Sequence, residues 1–164
     1  MFPPKLREGN EIRVVAPSSS LTIISDENKR AALNRLRSLG FTVTFSKNAK
    51  EMDESGSSSI ESRVKDLHEA FSDANVKGIL AVIGGYNVNQ ILKYLDYDLI
   101  RNNPKVLCGY SDITAMSNAI YEKTGLVNYS GPVFANFGMM KGFEHTLEYF
   151  KKCLFSNEQF DIVA

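Results

Sequence analysis

The sequence predicts an α/β domain of three layers, in which helices cover both faces of a mostly parallel sheet. Strand-like and helix-like segments alternate along the chain, which is the pattern of βαβ units. Residues 78–83 are almost continuously apolar, as is typical of a parallel strand covered on both faces. A length of 164 residues with 43% hydrophobic residues suffices for one full core and is short for two. We therefore expect a single domain over residues 1–164.

The first part of the chain alternates strand and helix signals. The apolar run at residues 11–16 predicts a strand, and apolar residues spaced three and four apart predict a helix at 26–39. Residues 41–45 alternate in polarity, which predicts a strand near a sheet edge. The polar, serine-rich residues 47–59 predict a mobile loop, and a second amphipathic helix is predicted at 60–74.

The same alternation continues beyond the apolar strand at 78–83. A glycine pair, Gly84 and Gly85, ends that strand, and residues 87–95 predict a short helix. The apolar run at 105–108 predicts an interior strand that leads into another helix. The remaining predicted elements are a strand at 126–129, a helix at 144–154 and the opening of a further strand at 159–164. This order is typical of flavodoxin-like or Rossmann-like domains, and the apolar end indicates that more chain follows.

Composition and charge argue against several classes of function. The 19 basic and 19 acidic residues cancel, so neither nucleic acid nor an anionic membrane is an expected partner. No apolar stretch is long enough to cross a bilayer, and residues 1–5 lack the apolar core of a secretory signal. Cys108 and Cys153 form no disulfide framework, and His68 and His145 have no neighbour at metal-ligand spacing. We expect a cytoplasmic protein without a bound metal.

Ser111 is the residue that most directly indicates chemistry. It lies where the predicted strand at 105–108 meets a helix, and its own and the following N–H groups suit a developing oxyanion there. A helix cap formed by Ser111 or Asp112 is an alternative explanation of the same residue types. The stretch 109–113 differs from the G-x-S-x-G elbow because Ile113 replaces the second glycine, which argues against an ordinary α/β-hydrolase.

Loops at the carboxyl ends of parallel strands are expected to meet at one rim of the sheet. Three such loops are predicted here, at residues 17–20, 84–89 and 109–112. Gly84 and Gly85 allow the backbone to approach a ligand and donate N–H groups, although a tight turn explains the pair equally well. The run matches neither a dinucleotide-binding motif nor a Walker A loop.

A nucleophilic serine needs a nearby base, and the sequence offers no convincing one. His68 falls within a predicted helix, and His145 opens another, so neither lies on a loop that follows a strand. Either Ser111 is structural, or the groups that activate it lie outside these residues.

Six motifs in a fixed order span nearly the whole chain. They lie at residues 4–19, 63–71 with 76–79, 83–89, 94–96, 109–114, and 123–126 with 131–132. Together they resemble the LD-carboxypeptidase family of serine peptidases, which includes muramoyl-tetrapeptide carboxypeptidases and microcin C immunity proteins. Each motif alone has little specificity, but their shared order is specific.

The resemblance implies a role for particular residues. Ser111 would be the nucleophile, and the backbone N–H groups of Gly85 and Asp112 would form the oxyanion hole. The residues that the resemblance places beside the substrate are Gly84, Asn87 and Asn89; a helix-cap role for Asn87 is an equal alternative. The implied substrates are LD-linked murein peptides or a peptidyl-nucleotide of the microcin C type, and no cofactor is needed.

Departures from the family pattern bear on substrate and completeness. Residues 83–89 look closer to the microcin-immunity branch, and residues 129–132 lack the histidine that many members carry before Gly131 and Pro132. Both departures weaken a murein-specific assignment. In the family, the catalytic glutamate and histidine come from a second, carboxy-terminal domain that nothing in residues 1–164 matches. The resemblance therefore implies an amino-terminal domain that is inactive alone, has that missing domain as its partner and, as is common in the family, belongs to a homodimer.

A second hypothesis comes from a different class of protein. A flavodoxin-like module could use the same rim to hold a nucleotide or another small ligand without catalysis. It predicts saturable binding, no acyl intermediate and little effect of Ser111→Ala.

Overall fold

A computed structural model, which describes residues 1–161, has one sheet of five parallel strands. The strands are β1 (Glu11–Val15), β2 (Thr42–Phe45), β3 (Val76–Ala81), β4 (Val106–Gly109) and β5 (Tyr129–Ser130). Their order in the sheet is β2-β1-β3-β4-β5. The parallel α/β architecture predicted from the sequence is confirmed, with β2 at an edge of the sheet.

Helices connect these strands and cover the sheet. They are α1 (Asp26–Ser38), α2 (Ile60–Ser72), α3 (Tyr97–Asn102), α4 (Ile113–Thr124) and α5 (Glu144–Phe155), with 3-10 helices at Leu21–Ile23, Val88–Tyr94 and Phe134–Gly138. The short α3 is absent from the sequence prediction, although Asp96 caps it by accepting a hydrogen bond from Leu99 N at 2.8 Å. Within residues 1–161, no helix combines the length and the apolar composition that crossing a membrane requires.

The sheet separates two apolar cores, which makes the fold three-layered. Val14 and Val15 are adjacent on β1 and point to opposite faces, so each enters a different core. The first core includes Val14 and Phe134, and the second includes Val15 and Phe71, all of them fully buried. Burial on both faces explains why the central strands have continuously apolar sequences.

The carboxy-terminal strand predictions differ from the structure. The strand predicted at 126–129 is reduced to β5, because only Tyr129 and Ser130 pair with β4. Residues 159–161, predicted to open a further strand, are outside any strand, and residues 162–164 lie outside the described part of the chain.

The segment predicted as a mobile loop is fixed by hydrogen bonds. Asn48 is buried, and its backbone N–H and side-chain amide donate to the Asp66 carboxylate at 3.1 and 2.8 Å. The carbonyl of Gly56 accepts from Ser20 N at 2.9 Å, and Ser57 is buried. The serine-rich composition therefore reflects polar contacts with the rim of the sheet.

Candidate functional site

Ser111 occupies a strained turn between β4 and α4. Its φ of 62° makes it the single non-glycine residue with a left-handed backbone in the described part of the chain. Such a conformation costs of order 1–3 kcal/mol, and it is found mainly at functional sites. Gly109 permits the turn, because a Cβ at this position would lie 2.8 Å from Ile113 Cγ2. The result is an elbow that presents an exposed serine, although Ile113 replaces the second glycine of the usual motif.

The glycine pair after β3 passes directly against this elbow. A Cβ on Gly84 would lie 3.1 Å from Ser111 Cβ and 3.2 Å from its Oγ. A Cβ on Gly85 would lie 2.2 Å from Ser18 Oγ and 2.7 Å from Ser19 Oγ. The loops that follow β1, β3 and β4 therefore meet at one rim, as the sequence predicts.

In the described part of the chain, the turns that meet at Ser111 carry backbone N–H groups that are free to donate hydrogen bonds. Within residues 1–161, the backbone N–H groups of Gly85 and Asp112 donate to no protein acceptor, and Ser111 Oγ forms no hydrogen bond. Asp112 N would lie 3.5 Å from a Cβ on Gly84, which puts this N–H at the junction of the two turns. Unpaired N–H groups on turns that meet at a free hydroxyl are available to serve as an oxyanion hole.

The side chain of Asp112 joins the three loops instead of capping α4. It makes no capping hydrogen bond to the helix. Its Oδ2 accepts from Ser18 Oγ at 2.6 Å, Asn87 N at 3.0 Å and Val88 N at 2.9 Å. The capping alternative for Asp112 is therefore wrong, and the carboxylate links the loop after β1 to the loop after β3.

Asn87 is buried within the same network. It is 5% exposed, its Oδ1 lies 3.1 Å from Ser18 Oγ, and its Nδ2 donates to Ser57 Oγ at 2.7 Å. It precedes the 3-10 helix Val88–Tyr94 but makes no side-chain capping bond, so the helix-cap alternative is wrong. Asn89 is exposed on that 3-10 helix. Substrate contact by Gly84, Asn87 or Asn89 stays a prediction.

Arg63 on α2 is hydrogen-bonded to the loops at the rim, a role that the sequence analysis does not predict. It is 3% exposed, and its guanidinium donates to the carbonyls of Pro17 and Asn87 at 3.3 and 3.2 Å and to Gln90 Oε1 at 2.7 Å. Burial lowers the pKa of Arg63, and the nearby Asp53 carboxylate opposes that shift. One signal was available: Arg63 lies four residues before the buried Leu67, so both occupy the inner face of the helix.

Neither histidine is placed to activate Ser111. His68 Nε2 accepts from Asp96 N at 2.9 Å, and burial lowers its pKa. His145 is exposed on α5, with its ring 4.6 Å from that of Tyr149. In the described part of the chain, no group of three or more His, Cys, Asp or Glu residues could hold a metal ion. In the described residues, Ser111 therefore stays a candidate nucleophile, and neither histidine is hydrogen-bonded to it.

Comparison with protein families and curated sequences gives consistent matches. The family model described as the LD-carboxypeptidase N-terminal domain matches residues 12–131. A relative named putative carboxypeptidase YocD, from Bacillus subtilis, is 55% identical over 162 residues, which are 99% of this chain and 50% of the relative.

Solved structures have the same fold. An MccF-like protein from Bacillus anthracis matches with a TM-score of 0.95 and 65% identity over 96% of this chain and 48% of that protein. The microcin C7 self-immunity protein MccF, in complex with aspartyl sulfamoyl adenosine, matches with a TM-score of 0.91 and 31% identity. That match covers 97% of this chain and 48% of MccF. The chain spans about half the length of the relatives that it matches.

Proposed function

This chain belongs to the LD-carboxypeptidase family, and we propose that it is the nucleophile-bearing domain of a serine carboxypeptidase. The observation that carries the proposal is the exposed Ser111 on a left-handed turn, packed against Gly84. A purely structural serine at this position would gain nothing that offsets the backbone strain. A nucleophile gains exposure and access to N–H donors.

The proposed reaction is acyl transfer from an amide to Ser111 and then to water. Ser111 Oγ attacks the amide carbonyl carbon, and its proton passes through a base to the departing amine as the C–N bond breaks. The N–H groups of Gly85 and Asp112 donate to the oxyanion of the tetrahedral intermediate. Water then hydrolyses the resulting serine ester and releases the acid. No cofactor takes part in these steps.

We propose that the base lies in the part of the enzyme beyond residues 1–164. His68 is hydrogen-bonded to Asp96 N, and His145 is on α5, which leaves Ser111 without an imidazole partner in the described residues. The family resemblance assigns the base and its orienting group to a histidine and a glutamate of a carboxy-terminal domain. Residues 1–164 alone would then be inactive, since removal of the base leaves only a small residual rate.

The proposed substrate is a small molecule with an amide at the carboxyl end of a peptide or aminoacyl group. A peptidyl-nucleotide or aminoacyl-nucleotide is the first candidate, because MccF was solved with aspartyl sulfamoyl adenosine and shares this fold. An LD-linked murein peptide, implied by the family resemblance, is the second. Both carry an amide that one nucleophile and one oxyanion hole can process.

A covalent probe tests the nucleophile directly. The full-length enzyme, its Ser111→Ala variant and residues 1–164 are treated with a fluorophosphonate, and labelled peptides are identified by mass spectrometry. We expect labelling at Ser111 in the full-length enzyme, its loss in Ser111→Ala and none in residues 1–164. Competition by aspartyl sulfamoyl adenosine or by a murein tetrapeptide then identifies the substrate class.

The opposite results have definite meanings. Strong labelling of Ser111 in residues 1–164 would contradict the dependence on a distant base. Saturable binding of the sulfamoyl nucleoside without any labelling or hydrolysis, unchanged in Ser111→Ala, would instead identify a small-ligand binding module.

A further inference from the structure

We propose that Asp112 is a positioning residue, whose carboxylate fixes the position of the Gly84–Gly85 turn relative to Ser111. This inference rests on the proposed function, because it assigns a role within that reaction. The carboxylate accepts hydrogen bonds from Ser18, Asn87 and Val88. In this proposal it acts on the reaction through the backbone of the glycine turn.

The contacts of Asp112 fix the carboxyl-terminal side of the glycine turn. Its Oδ2 accepts from the N–H groups of Asn87 and Val88 at 3.0 and 2.9 Å. Asn87 and Val88 follow Gly85 by two and three residues, so these hydrogen bonds restrict the position of the glycine turn. Hydrogen bonds to an ionised carboxylate are about twice as strong as neutral ones, which suits this role.

A second contact fixes the turn from its other side. Ser18 Oγ donates to Asp112 Oδ2 at 2.6 Å. The same oxygen abuts Gly85, since a Cβ there would lie only 2.2 Å from it. Asp112 Oδ2 therefore orients two sets of groups: the Ser18 hydroxyl, which is packed against Gly85, and the backbone N–H groups of Asn87 and Val88.

This arrangement couples the two proposed oxyanion donors through one residue. The backbone N–H of Asp112 is one donor, and its side chain determines the position of the Gly85 N–H, the other donor. A shift of the glycine turn would leave the substrate bound but would misplace a hydrogen bond needed in the tetrahedral state. Loss of Asp112 should therefore lower kcat and leave KM nearly unchanged.

The matched control is another carboxylate that holds a loop away from Ser111. Asp66 is 3% exposed and accepts from Asn48 N at 3.1 Å and Asn48 Nδ2 at 2.8 Å. Asp66→Ala thus removes a comparable set of bonds, none of which involves residues 17–20, 84–89 or 109–112. It is expected to lower Tm and to leave kcat unchanged.

The experiment uses the full-length enzyme with Asp112→Ala, Asp112→Asn, Ser18→Ala and Asp66→Ala. Each variant is measured for kcat, KM, Tm and inhibition by a phosphonate analogue of the tetrahedral state. For Asp112→Ala we expect kcat and affinity for the analogue to fall about 100-fold, with KM within about threefold of wild type. Asp112→Asn should recover part of kcat, because its amide oxygen still accepts from Asn87 and Val88.

The outcomes separate this inference from the proposed function. If Ser111→Ala abolishes turnover while Asp112→Ala behaves like Asp66→Ala, only the positioning role is overturned. If Ser111→Ala keeps wild-type turnover, the proposed function fails first. If Asp112→Ala does not fold, Ser18→Ala decides: a kcat about 10-fold lower at unchanged KM supports the role, and wild-type kcat overturns it.

Discussion

Gly84 and Ser111 are in mutual contact, although they are on separate turns of the chain. A Cβ added to Gly84 would lie 3.1 Å from Ser111 Cβ and 3.2 Å from Ser111 Oγ. The contact arises because β3 and β4 are adjacent parallel strands, so the turns that follow them emerge side by side. Any side chain at position 84 would occupy space beside the serine hydroxyl.

Gly84→Ala is expected to impair catalysis more than folding. The new methyl group would displace Ser111 by a few tenths of an ångström or push the glycine turn outward. We expect kcat/KM of the full-length enzyme to fall about 10- to 100-fold, since small misplacements at a reacting centre have effects of this size. Steady-state kinetics and thermal unfolding of the same preparation measure both effects.

Gly125→Ala provides the control for this substitution. Gly125 ends α4, at the opposite end of the helix from Ser111, and has a φ of 72° with no atom within 4 Å of an added Cβ. It should lose about 1 kcal/mol of stability through backbone strain and retain its turnover number. A Gly84→Ala enzyme with wild-type kcat/KM would show that the contact with Ser111 has no catalytic consequence.

Replacing Ser111 itself is expected to reveal the strain in its backbone. With φ at 62°, alanine keeps the unfavourable Cβ contact, whereas glycine removes it. We expect Ser111→Gly to be more stable than Ser111→Ala by about 0.5–1 kcal/mol in urea unfolding, with both variants inactive. Equal or reversed stabilities would mean that the turn is not strained.

The meeting of the turns around Ser111 could be predicted from the sequence, because it follows from local patterns and one topological rule. The apolar runs that became β3 and β4 specify buried parallel strands. Parallel strands bring their carboxyl-terminal loops to one edge, which predicts that Gly84 and Ser111 are neighbours. Neither inference requires knowledge of any particular side-chain contact.

The polar network beneath the rim could not be predicted in the same way. Asp112 is hydrogen-bonded to Ser18, which is 94 positions earlier in the chain, and to Asn87, which is 25 positions earlier. No periodicity of the sequence encodes such separations. Helix-capping preference even favoured a different role for Asp112. Similarly, β5 is short because only two of its residues reach the register of β4, which is a property of the assembled sheet.

Arg63 is expected to stabilise the site through buried hydrogen bonds. Arg63→Met would leave the buried Pro17 carbonyl without its donor and the Asn87 carbonyl with Gln90 N as its remaining donor. We expect a loss of about 2–3 kcal/mol in the free energy of unfolding, measured by urea titration. Arg101→Ala is the control, because Arg101 pairs with Asp98 on the surface and should contribute less than about 1 kcal/mol. Similar losses in both variants would contradict the supporting role of Arg63.

His68 is expected to make the stability of the protein depend on pH. Burial lowers its pKa below the ordinary value of 6.5, while the Asp96 carboxylate opposes this, and the neutral ring accepts from Asp96 N at 2.9 Å. The unfolded chain therefore takes up a proton on His68 at a higher pH than the folded protein does. Its stabilising contribution is complete above pH 6.5 and is lost as pH falls through the folded pKa.

The measurement is the free energy of unfolding at about pH 7.5 and about pH 5.5, on either side of the ordinary histidine pKa, for wild type and His68→Gln. Glutamine can accept the same hydrogen bond through its side-chain oxygen but does not titrate. We expect wild type to lose more stability than His68→Gln on going to the lower pH, because the variant lacks the differential protonation of this site. Other titrating groups contribute equally to both proteins, so an identical loss in the two would exclude His68 as the source.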